Sequence, residues 1–268
     1  MFSTKYARAD SLSDALERMR AAGDGKFLGG GQTLLATMKQ RLAAPSDVID
    51  LTGIPDLHGI SVTEHEVTIG AASTHAVVAD HAGIAATIPA LSALAANIGD
   101  PAVRTMGTLG GVLANNDPAA DYPAAALALR ATIHTNSAGY LADDYFTGMF
   151  DTALDEDEVI VRVSFPVPRR AAYEKFRNPA SRYAICGVMV AELSDGAVRV
   201  AVTGAGADGV FRVPDLEAAL SDSFTPDAAR SVVVDPADIL ADMHGSSEYR
   251  AHLIPVLAAR AVAKANGA

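Results

Sequence analysis

Two glycine stretches, about eighty residues apart, constrain this chain more than any other feature. The first reads Gly29-Gly30-Gly31-Gln32-Thr33-Leu34-Leu35. The second reads Arg104-Thr105-Met106-Gly107-Thr108-Leu109-Gly110-Gly111, with Asp117-Pro118-Ala119-Ala120-Asp121 close behind it. Glycine adopts positive φ without a steric penalty, so such runs let bare backbone N–H groups crowd around an anion. Either stretch alone is compatible with an ordinary tight turn. Together, each beside a predicted strand or helix end, they point to a diphosphate held from two sides, and so to a dinucleotide.

Composition sets the bounds. A chain of 268 residues suits one large domain or two modest ones with a sizeable core. A net charge of −11 argues against nucleic-acid backbones and anionic membranes as partners. Cys186 is the single cysteine, which excludes an internal disulfide and a cysteine-ligated iron–sulfur cluster or zinc site. The cytoplasm is the expected compartment. Residues 1–6 contain no apolar signal region, and the alanine-rich stretch 124–131 is too short to span a membrane.

The periodicity predicts a helix from Leu12 to Gly23 with Ser11 as its cap, then a strand over 26–28 that runs into the triple glycine. Residues 32–42 read as a helix, so strand, glycine turn and helix start are aligned as anion-binding geometry requires. A strand over 48–51 follows, then strands over 59–63 and 66–70. Helices are predicted over 74–78, capped by Thr74, and over 88–98. Asp100-Pro101 ends that helix, and a loop carrying the second glycine stretch follows. A helix over 122–130 and a strand over 132–135 come next. Residues 158–165 alternate, with Val159, Val161, Val163 and Phe165 expected on one face. Pro166 and Pro168 mark a boundary. Beyond it, 185–193 and 198–203 form an antiparallel hairpin around Ser194-Asp195-Gly196. The last third is helical, with starts at Phe224-Thr225-Pro226 and Asp235-Pro236 and a long final helix over 246–265.

Several motifs compete with simpler readings. Asp117 and Asp121 suit N-terminal capping, although a carboxylate accepting from a sugar-like hydroxyl is the better functional reading of Asp121. The stretch Gly204-Ala205-Gly206-Ala207-Asp208-Gly209 fits G-x-G-x-x-G, yet no helix opens directly after it, so it reads as a strand exit. The seven histidines show no metal or catalytic spacing and read as surface or satisfied residues. Tyr183 suits edge packing, or an aromatic covering a flat ring at a cleft mouth. No nucleophile elbow, P-loop or zinc motif is present, and no catalytic acid, base or metal ligand is assigned.

The ordered set of both glycine stretches, Asp117-Pro118-Ala119-Ala120-Asp121 and Ala172-Tyr173-Glu174-Lys175-Phe176-Arg177 resembles the FAD-binding medium subunit of molybdenum hydroxylases, the carbon monoxide dehydrogenase and xanthine dehydrogenase group. The resemblance runs nearly end to end. It implies an α+β fold: an FAD-binding domain of two α/β subdomains of vanillyl-alcohol-oxidase type (1–55 and 56–170), then a C-terminal domain with a small antiparallel sheet and helices (171–268). It also implies that Gly29, Gly30, Gly31, Gln32 and Thr33, with Thr108, Leu109, Gly110 and Gly111, hold the FAD pyrophosphate. Asp121 would bind elsewhere along the cofactor, and the strand around Ile160 would approach the flavin by its backbone. Tyr183 would lie against the isoalloxazine ring, and Lys175 at the ring's polar edge. One departure is Val112, where the family often has Asn or Ser. The implied role is an oxidoreductase subunit that takes electrons from [2Fe–2S] clusters of a small partner, with the molybdopterin cofactor in a large partner. The acceptor would be NAD, a quinone or oxygen. A stand-alone flavin oxidase of the related fold is the alternative, and an interaction subunit without flavin a third.

Overall fold

The computed structural model describes residues 1–267 and is α+β. The N-terminal unit alternates β1 (Lys5–Arg8), α1 (Leu12–Ala21), β2 (Gly25–Leu28), α2 (Leu34–Lys39) and β3 (Asp47–Asp50). Its strands are parallel in the order β1-β3-β2. The first helix starts where the sequence predicts, because Ser11 Oγ accepts from the Asp14 N–H and leaves one fewer orphan donor. The strand β1 has no sequence signature. Its residues are mostly exposed, and it exists by pairing along β3.

A second unit opens with the hairpin of β4 (Ile60–Val62) and β5 (Glu66–Gly70). Six short helices follow: α3 (His75–Asp80), α4 (Ala82–Thr87), α5 (Pro89–Ala96), α6 (Pro101–Met106), α7 (Leu109–Asn115) and α8 (Tyr122–Ala128). The stretch expected as one loop after Asp100 is therefore two helices meeting at Gly107 and Thr108. Asp100 caps α6 through the Val103 N–H, and Thr108 caps α7 through the Gly111 N–H. Then come β6 (Thr132–Thr135), β7 (Gly139–Leu141), α9 (Ala142–Tyr145), the small ribbon of β8 (Phe146–Gly148) and β9 (Asp151–Thr152), and β10 (Ile160–Pro166). These strands complete a five-stranded antiparallel sheet in the order β4-β5-β10-β6-β7.

The alternation expected along 158–165 does not hold over its whole length. A bulge lies between Ile160 and Arg162. An extra residue turns a strand and swaps its faces. Val163 and Phe165 consequently enter the main core, while Val159 and Val161 pack against the N-terminal unit.

The C-terminal unit is a four-stranded antiparallel sheet of β11 (Arg170–Arg177), β12 (Ala184–Glu192), β13 (Val198–Thr203) and β14 (Phe211–Arg212), in that order. Helices α10 (Pro214–Asp222), α11 (Pro226–Arg230) and α12 (Ser247–Ala265) cover one face. The predicted helix start at Asp235-Pro236 is instead a turn, in which Asp235 Oδ1 accepts from the Ala237 N–H. Residues 204–209 connect antiparallel β13 and β14 with no helix opening, so the G-x-G-x-x-G match carries no nucleotide geometry. The largest core runs from Val67, Leu94 and Phe165 to Tyr173, Met189 and Ala201, on both sides of the boundary expected at 170. No helix among the described residues is long and apolar enough to cross a membrane.

Candidate functional site

A cleft of about 720 Å³ lies where the three units meet. Its size falls in the range of about 300–1,000 Å³ typical of small-molecule and cofactor sites. Gly29, Gly30, Gly31, Gln32, Thr33, Thr108, Gly110, Gly111, Asp121, Ile160, Lys175 and Tyr183 all line it. Leu109 does not. Its side chain is fully buried in the main core and anchors the start of α7.

The two glycine stretches touch. A Cβ on Gly30 would lie 1.8 Å from the Met106 carbonyl oxygen, and one on Gly29 would lie 2.8 Å from Thr108 Oγ1. Only glycine permits that approach. Gly31 further needs its positive φ of 74° to turn β2 into α2.

Their hydrogen bonding differs. Among the described residues, the N–H groups of Gly30, Gly31, Gln32 and Thr33 find no acceptor. The second stretch is already engaged: Leu109 N–H donates to the Ser73 carbonyl at 3.0 Å, Gly110 N–H to Ala71 at 2.8 Å, and Gly111 N–H to Thr108 Oγ1. One stretch thus offers a free run of donors, and the other forms a fixed wall tied to the connection after β5. A run of backbone N–H groups left free along a cleft wall is a ready anion cradle.

The polar floor comes from α8 and β11. Asp121 stands at the N-terminal boundary of α8 with no side-chain cap bond. Its carboxylate instead accepts from Lys175 Nζ at 2.9 Å and from the Tyr173 hydroxyl. Residues 173 and 175 project from the same face of their strand, since side chains alternate with a period of two. Burial pushes the Asp121 carboxyl up, against the pull of Lys175, and pushes the Tyr173 phenol well above its ordinary range with help from Asp121. The Lys175 side chain is completely buried. Gly187 makes room for this arrangement, because a Cβ there would lie 2.2 Å from the Tyr173 hydroxyl oxygen.

Tyr183 is 48% exposed at the cleft mouth. The turn before it is built by Asn178, whose Oδ1 accepts from the N–H groups of Ala180 and Ser181, and by Arg182 at φ 64°. Glu158 also lines the cleft and accepts from Thr135, Ser137 and the Tyr140 hydroxyl.

Sequence reasoning misses His75. Its imidazole is 2% exposed, lines the cleft, and has its Nδ1 unpartnered among the described residues. Burial, then the nearby Arg104 charge, lowers it to about 4, so it is neutral. The only local signal is the small-residue run Ala71-Ala72-Ser73, which announces a tight passage and not an imidazole.

The fold and the cleft define a flavin-binding oxidoreductase component. The family described as "FAD binding domain in molybdopterin dehydrogenase" matches residues 2–168, and the chain belongs to that family. Similar proteins include the nicotine 6-hydroxylase medium subunit of Paenarthrobacter nicotinovorans, 35% identical over 97% of this chain and 96% of that one. The carbon monoxide dehydrogenase medium chain of Afipia carboxidovorans is 32% identical over 98% of this chain and 96% of that one. Among solved structures, reconstituted CO dehydrogenase from Oligotropha carboxidovorans superimposes with a TM-score of 0.90 at 29% identity, covering 99% of this chain and 98% of that one.

The residues present fit FAD. A free N–H cradle suits a diphosphate, glycines leave room for its close approach, and a buried polar floor and an exposed aromatic stand at the cleft's other parts.

Proposed function

We propose that this chain is the flavin subunit of a heteromeric molybdenum hydroxylase, in which a large partner carries the molybdopterin cofactor and a small partner the [2Fe–2S] clusters. Bound FAD would supply the redox chemistry that links those clusters to a small-molecule acceptor such as NAD, a quinone or oxygen. The chain's own residues bind and orient. The N–H groups of Gly30, Gly31, Gln32 and Thr33 hold the diphosphate, with Gly29 at the turn. Thr108, Gly110 and Gly111 close the opposite wall, and Leu109 anchors that wall in the core. Asp121 and Lys175 form the polar floor, Ile160 flanks it, and Tyr183 covers the mouth.

The observation that carries this reading is the free N–H run facing a second glycine wall in one cleft. We divide the chain into 1–55, 56–170 and 171–268; residues from all three stretches line that cleft. A cytoplasmic site of action agrees with the lone Cys186, fully buried and its thiol pushed up to about 12 by burial. Purification from the native host tests the assembly. The chain should bring with it two partners, one containing molybdenum and one iron–sulfur clusters, and rapid mixing with the complex's substrate should reduce the clusters before the flavin. A flavin-loaded chain that oxidises a substrate without partners would instead mark a stand-alone oxidase.

A further inference from the structure

His75 stands out among the histidines. It opens α3 directly beneath the second glycine wall, and its backbone N–H donates to the Gly107 carbonyl at 2.9 Å. A Cβ on Gly107 would lie 2.6 Å from His75 Nε2, while a Cβ on Gly30 would lie 2.7 Å from the Gly107 Cα. Gly107 is therefore sandwiched between the imidazole and the free N–H cradle. Across from the ring, Tyr122 sits with centroids 5.4 Å apart, and its buried hydroxyl is also unpartnered among the described residues. Two buried polar atoms without partners beside one cleft are unusual in a folded protein.

We propose that His75 is a positioning residue that couples loading of the cleft to uptake of one proton from solvent. The proposal rests on the reading of the cleft as the FAD site. The charged and titratable groups around the ring are few. Arg104 comes from α6 and Tyr122 from α8, while α4, α5 and α7 carry no ionisable side chain. Asp121, next to Tyr122, is engaged by Lys175 and Tyr173. With Arg104 as its charged neighbour and little water, the imidazole stays neutral. A diphosphate in the cradle places negative charge across Gly107, in a low-dielectric setting where such attraction is strong. The imidazolium then becomes the favoured form. The proton moves from buffer to the ring, and no covalent bond other than that N–H is made or broken.

Calorimetric titration of the flavin-depleted complex with FAD, at about pH 5.5 in buffers of different ionisation enthalpy, reads the proton directly. The expected result is uptake approaching one proton per FAD, falling toward zero near pH 8, and lost in His75→Gln. Asp117 is the competing acceptor, since burial raises its carboxyl and it lines the same cleft. Uptake that persists in His75→Gln overturns the proposal. So does a heat of binding independent of buffer. Absence of any FAD binding would instead overturn the reading of the cleft. Imidazole ¹⁵N shifts of the wild-type protein give the same answer if the variant misfolds: the His75 ring should be neutral near pH 5.5 without FAD and protonated with it, and an unchanged ring contradicts the proposal.

Discussion

Lys175 and Asp121, 54 residues apart in sequence, form a buried ion pair of 2.9 Å at the cleft floor. Desolvating two charges costs several kcal/mol, repaid only while both partners are present and hydrogen-bonded. Asp121→Asn or Lys175→Met alone should each destabilise the protein by about 3–5 kcal/mol in urea unfolding. The double variant Asp121→Asn/Lys175→Met should lose much less than the sum, because it leaves no orphaned charge. Additive losses would show that the two groups do not depend on each other.

Gly30→Ala tests the contact between the glycine stretches. The new Cβ, 1.8 Å from the Met106 carbonyl oxygen, must push the two walls apart. Overpacking of this kind costs about 1–3 kcal/mol, and it should strip flavin from the purified protein. Gly139→Ala is the control, since nothing lies closer than 3.7 Å to a Cβ there. Equal flavin content in both variants would contradict the assignment of the cradle.

His75 makes stability depend on pH. Its folded value of about 4 lies below the ordinary imidazole value near 6.5, so between those values the unfolded chain binds more protons than the native one. Stability therefore rises with pH across that window, is fully present above about pH 6.5, and is lost as the pH falls toward 4. The contribution is about 3 kcal/mol. Urea unfolding of the flavin-free protein and of flavin-free His75→Gln across the same window should show a slope flatter in the variant, by that amount over the window. An unchanged slope would mean that the ring is not buried neutral.

Tyr183 is placed to act on the ligand more than on the fold. At 48% exposed, its loss in Tyr183→Ala should change stability by no more than about 0.5 kcal/mol. An aromatic contact is worth about 0.5–1.5 kcal/mol, so FAD should dissociate roughly two- to twelvefold faster. Stopped-flow flavin fluorescence reads that rate. An unchanged rate would place Tyr183 outside the bound cofactor's reach.

Some of the local chemistry was legible in the sequence, although the Asp235-Pro236 turn and the two helices after Asp100 were not. Ser11 and Thr74 cap their helices as read, and the triple glycine turns β2 into α2. The long-range pairings were not legible. Nothing in Asp117-Pro118-Ala119-Ala120-Asp121 says that its last carboxylate meets Lys175 and Tyr173 from another sheet. The N–H groups of Leu109 and Gly110 donate to the carbonyls of Ser73 and Ala71, and a glycine count cannot foresee those bonds. The bulge at Ile160 and Arg162 likewise hides inside an apparently regular alternation. A burial pattern records which residues are apolar, and it leaves open which of several neighbouring cores receives each one.

On the function proposed above, this cleft holds FAD. The most direct measurement is the amount of flavin released per chain from the purified protein, compared between wild type and Gly30→Ala. About one FAD per wild-type chain is expected, an approximate one-site stoichiometry, and little in the variant. A colourless wild-type protein that takes up no flavin, even beside its partners, would contradict it.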